Sequence, residues 1–79
     1  MNTAAEIKQL ERAVDEFAVE MKRKLIDKLK SGRRGWNNKD YSGIIKDQLE
    51  SHTRRMVAGD LSQGVDVANL AMMLYRKND

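Results

Sequence analysis

The chain contains no cysteine, so no disulfide can staple it and no thiolate can hold a metal. Its single histidine adds too little to make up the shortfall, and a structural zinc site is excluded. Proline is absent as well, so nothing of that kind interrupts a helical pattern. Large rings are scarce, with one Trp, one Phe and two Tyr, and the core must be built from smaller side chains. No apolar run approaches the roughly 20 residues that cross a bilayer, and no apolar targeting segment opens the chain. These absences point to a cytoplasmic protein.

What is present is a helical composition: Ala, Leu, Lys, Glu, Met and Gln are plentiful, and β-branched residues seldom run together. At 79 residues the chain makes one domain. With 34% charged residues and a mean hydropathy of −0.70, that domain has a small core. Short chains of this kind lean on good helices, on oligomerisation, or on both.

The apolar spacing predicts an all-α fold: a long N-terminal helix over about 3–30, a loop at 31–40, and a helical hairpin from helices over about 41–57 and 61–76. Thr3, followed by Glu6, reads as an N-cap with a capping box. In the first helix Ile7, Leu10, Val14, Phe17 and Met21 alternate at three- and four-residue steps, which is a heptad seam, and the stripe runs on through Leu25 and Leu29. A helix of 28 residues is about 42 Å long, more than a compact domain of this size spans. The seam is therefore expected to pack along another copy of the chain, giving an oligomeric helical bundle. Asp40 reads as the cap of the second helix, whose stripe is Tyr41, Ile44, Ile45, Leu49, His52 and Met56. Gly59 suits a C-terminal cap, and Asp60 with Gln63 reads as a capping box for the third helix. That helix is apolar around most of its circumference. Asp66 and Asn69 are its exceptions, one turn apart, and a carboxylate buried there needs a partner.

Charge is uneven. Residues 1–20 carry two basic and five acidic groups, whereas residues 21–39 carry eight basic groups against Asp27 alone. The basic segment ends in the loop Ser31-Gly32-Arg33-Arg34-Gly35-Trp36-Asn37-Asn38, where two guanidiniums and the lone indole meet. Those groups can clamp a phosphate and stack a base, and an anionic partner is expected there. The plainer alternative is a connector whose tryptophan folds onto the core. His52, on an apolar stripe and without a serine to activate, reads as a satisfied core residue. Asp47 and Glu50, with Asp66 on the next helix, have a spacing that can ligate magnesium between helices; it is equally common on solvated faces. The basic run also suits nucleic-acid backbones, although the third helix is not a basic recognition helix.

One family resemblance adds to these readings. The segment Leu49-Glu50-Ser51-His52-Thr53-Arg54-Arg55-Met56, then Gln63-Gly64-Val65-Asp66-Val67-Ala68-Asn69-Leu70-Ala71-Met72-Met73, resembles small phage members of the MazG-like, all-α nucleotide pyrophosphohydrolases. The Gly32-Arg33-Arg34-Gly35-Trp36 stretch is similar to their glycine-rich basic segment. The resemblance implies helical oligomers that cleave nucleoside triphosphates to monophosphate and pyrophosphate with magnesium held by paired acids. This chain departs from that pattern: the first acidic pair falls on Ser51 and Thr53 or their neighbours His52, Arg54 and Arg55, and Gln63 replaces a Glu, leaving Asp66 as the match with Asn69 after it. Arginines repel a dication in a low-dielectric site. The resemblance then implies a non-catalytic, degenerate member that sequesters nucleotide without a cofactor. Lys30, Arg33, Arg34, Arg54 and Arg55 would hold phosphate, Trp36 would stack on a base, and Asn69 would bond a sugar or base edge. Two alternatives stand beside it: an active magnesium-dependent pyrophosphohydrolase using Asp47, Glu50 and Asp66, and a small phage module that inhibits a host protein or binds nucleic acid.

Overall fold

The computed structural model describes residues 2–77. Its order is α1 (Thr3–Lys30), a 3-10 turn (Lys39–Tyr41), α2 (Ser42–Val57), a second 3-10 turn (Leu61–Gln63) and α3 (Gly64–Lys77). The fold is all-α: a long first helix, then two helices packed as a hairpin. Among the described residues no helix is long and apolar enough to cross a membrane.

Local chemistry fixes the ends. α1 is capped by Asn2, not Thr3: the Asn2 side-chain oxygen accepts from the Ala5 backbone N–H at 2.8 Å, and Thr3 is the first helical residue. An amide oxygen with extended backbone serves this position better than a hydroxyl one residue on. Asp40 does not cap α2 either. Asn38 accepts from the Asp40 N–H at 3.0 Å and starts the 3-10 turn, which winds directly into α2. Asp60 does cap the second turn, accepting from the Ser62 N–H. Gln63 closes that box differently from the expected pattern, donating its amide at 2.9 Å to the Asp60 carboxylate. Hydrogen bonds from Ser62 and Gln63 hold the Asp60 carboxyl below the usual range.

α1 and α2 end alike. Arg33 N–H reaches back to the Lys28 carbonyl and Gly32 N–H to that of Leu29; Asp60 and Gly59 do the same with Arg55 and Met56. This paired closure needs positive φ at the glycine, which is 98° at Gly32 and 124° at Gly59. A Cβ at Gly59 would meet nothing within 4 Å, so Gly59→Ala tests backbone strain alone. It is expected to lower unfolding free energy by about 1–3 kcal/mol in urea denaturation.

α3 is the element that packs against both other helices. Among the described residues four are buried: Asp66, Asn69 and Leu70 lie on it, and Ile45 on α2. Two of the four are polar, so what reads as an apolar helix buries its exceptions as deeply as its apolar residues. The hairpin covers α1 only from about Met21 onward, and the N-terminal half of α1 stands clear of it. The molecule is accordingly elongated, 46 × 27 × 26 Å, with a radius of gyration of 14.7 Å. A compact chain of this length has a radius of about 12 Å.

Candidate functional site

The loop leaving α1 turns its chain across the open side of the hairpin. A Cβ built on Gly35 would come within 3.1 Å of the Tyr41 ring, so the loop backbone lies directly against that ring. Beside this contact is a groove of about 620 Å³, within the roughly 300–1,000 Å³ of small-molecule sites. Leu25, Ile26 and Leu29 of α1 meet Ile44 and Ile45 of α2 and Met72 and Met73 of α3 along it. Arg33, Arg34, Trp36 and Tyr41 line the same space. Trp36 is 42% exposed, neither sealed in the core nor wholly in water. Neither arginine forms an ion pair among the described residues. The groove therefore offers apolar walls, two aromatic rings and two uncompensated cations.

A second cluster lies under α3. Asp66 is 6% exposed, and its two oxygens take Lys24 Nζ at 2.7 Å and Lys28 Nζ at 3.1 Å. Burial pushes the Asp66 carboxyl up, but the hydrogen bonds and charges of Lys24 and Lys28 together outweigh it, and the carboxyl titrates below its usual range. His52 Nδ1 lies 3.9 Å from the same carboxylate and 2.5 Å from Gln63 Oε1. Because the Gln63 amide donates to Asp60, its oxygen faces His52, and Nδ1 carries the proton that joins them. Asn69 donates to the Met21 carbonyl at 3.3 Å, while its own side-chain oxygen is buried without a partner among the described residues.

The residues expected at a site thus fall into separate places. Arg33, Arg34 and Trp36 share the groove. Lys30, the last residue of α1, is exposed and outside its lining. Arg54 is exposed, paired with Glu50 along α2, and lines a different apolar surface with Leu49, Val57 and Ala58. Arg55 donates to Ser51 Oγ at 3.2 Å, also on the outside of α2. Asn69 is enclosed against α1. Asp47, Glu50 and Asp66 do not converge: among the described residues no three His, Cys, Asp or Glu side chains gather where a metal could sit. With both oxygens of Asp66 taken by ammonium groups, the donor set does not fit a divalent cation.

Sequence reasoning did not single out Tyr41 as part of the loop site, or Lys24 and Lys28 as the partners of Asp66. A signal for the lysines was available. Continuing the three-four alternation past Met21 lands on positions 24 and 28, where the seam turns from apolar to cationic. A charged stretch of seam needs a charged face opposite, and Asp66 is the carboxylate on the apolar helix that follows.

Comparison with known proteins returns no relative: no protein family, no curated protein and no solved structure matches the chain.

Proposed function

We propose that this chain is a non-catalytic, oligomeric nucleotide-binding protein that sequesters its ligand in the groove beside Trp36, in the manner of a degenerate, phage-type MazG-like protein. The observation that carries this reading is the meeting of Arg33, Arg34, Trp36 and Tyr41 on one apolar groove. A flat base has ring faces to stack on, and its phosphates have two planar donors free of carboxylate partners. Arg54 and Arg55 have no part in this version of the site, since they lie on α2 away from the groove. The occupation of Asp66 by Lys24 and Lys28 supports capture over magnesium-assisted cleavage, because those ammonium groups take the place a dication would need.

The test is thermal denaturation with nucleoside mono-, di- and triphosphates and cyclic nucleotides, with pyrophosphate release assayed alongside in magnesium. A ligand at a hundred times its Kd adds about 2.7 kcal/mol, a rise of several degrees in Tm. The expected result is such a shift with at least one nucleotide and no pyrophosphate released. No shift with any nucleotide contradicts the proposal. Pyrophosphate release that disappears in Asp66→Ala would replace it with a hydrolase.

A further inference from the structure

We infer that two copies of this chain pair antiparallel through the N-terminal half of α1, with a two-fold axis near Val14. Exposed area is the first argument. A folded monomer of 9.1 kDa exposes about 4,900 Å² by the usual scaling with mass. This chain exposes 6395 Å². The excess, about 1,500 Å², is what one partner gives up in a stable homodimer, above the roughly 800 Å² of a standard interface.

Part of that excess lies on the seam. Ile7, Leu10, Val14 and Phe17 are 50%, 62%, 66% and 40% exposed, and they form one apolar stripe on α1. From Ile7 to Met21 the stripe is about 21 Å long. A second copy of the same stripe matches it in length, spacing and chemistry, which is the self-complementarity an isologous interface requires.

The hairpin sets the direction. It occupies this same face of α1 from Met21 onward, through Asn69 on the Met21 carbonyl and Asp66 on Lys24 and Lys28. Two parallel α1 helices would bring both hairpins into the same space. In the antiparallel arrangement the stripe of each helix ends, at Ile7, level with Met21 of the other copy, where that copy's hairpin begins.

This inference does not depend on a ligand, and its test uses the full chain alone. Sedimentation equilibrium over a concentration series is expected to give twice 9.1 kDa. Phe17→Glu and, separately, Leu10→Glu are expected to give monomers, with circular dichroism recording whether the helices persist. Direction is read in the otherwise unchanged chain by a spin label on Ala4→Cys, which is unique because the protein has no cysteine. Antiparallel pairing puts the two labels about 30 Å apart along the helices, against about 10 Å for parallel pairing. A monomer throughout the series, which would leave the stripe to some other occupant, overturns the inference. So does a label separation near the shorter value, or a dimer that survives both glutamate substitutions.

Discussion

Replacing Lys24 and Lys28 together by alanine is expected to lower the folding stability by about 3–5 kcal/mol at neutral pH. The double variant leaves Asp66, 6% exposed in the wild type, with neither of the ammonium groups that hold it. His52, 3.9 Å away, is the remaining group able to compensate, and only when protonated. Whole domains are stable by about 5–15 kcal/mol, so a loss of this size can unfold much of a chain with so small a core. Lys24→Ala alone should therefore be measured too; it keeps one ammonium in place and spares Lys28, which also lines the groove.

The pH dependence gives this prediction its sign. In the wild type the folded carboxyl titrates below its ordinary value of 3.8, so its stabilisation is fully present above that pH and is lost as pH falls through the lower, folded value. Without the lysines, burial is left to act alone and pushes the carboxyl up. The double variant is then most impaired at neutral pH and recovers part of the deficit once Asp66 takes a proton. Urea denaturation across the acid range should show the gap between the two proteins narrowing as pH falls. A gap that is constant with pH would mean that lost packing by the lysine stems, and not the buried charge, sets the cost.

The second large effect concerns binding. Arg33→Ala with Arg34→Ala is expected to weaken nucleotide affinity by two orders of magnitude or more, because each charge-assisted bond to phosphate contributes about 1.5–3 kcal/mol. Trp36→Ala is expected to weaken it by about one to two orders, the range of a lost base stack of about 1–3 kcal/mol. The arginines are exposed and Trp36 nearly half so, and their removal should leave the fold intact; unchanged circular dichroism and urea midpoints check this. Affinity should also fall as salt rises in the wild type, and much less in the arginine variant. Arg54→Ala, on the outside of α2, is expected to bind as the wild type does; isothermal titration of these variants compares all of them directly.

Much of the architecture is legible in the sequence because helical periodicity is a local property. The three-four spacing from Ile7 to Met21, and the glycines at 32 and 59, mark where α1 and α2 run and stop. Capping is less legible. Asn2, Thr3, Asn38 and Asp40 are all competent caps, and the choice between neighbours depends on backbone angles that a residue type does not fix. The tertiary pairings are the least legible. Asp66 announces its need of a partner, but Lys24 lies 42 positions earlier, and only the docking of α3 onto α1 brings the two within hydrogen-bond reach. The same docking decides which arginines share a hollow. Arg33 and Arg34 reach the groove with Trp36 because the loop bends back over the hairpin, whereas Arg54 and Arg55 follow the helical rotation of α2 to its outer side.

The proposal that a nucleotide lodges between the loop and the hairpin can be put to Trp36 itself, since it is the chain's sole tryptophan and its fluorescence reports from inside the groove. Titrating the protein with the nucleotide that most raises its Tm is predicted to quench that emission along a saturating curve, and the curve should flatten to a shallow line when Arg33 and Arg34 are alanine. A quench that never saturates, and is the same with and without the two arginines, would mean that the indole meets nucleotide only by collision and that the groove holds none.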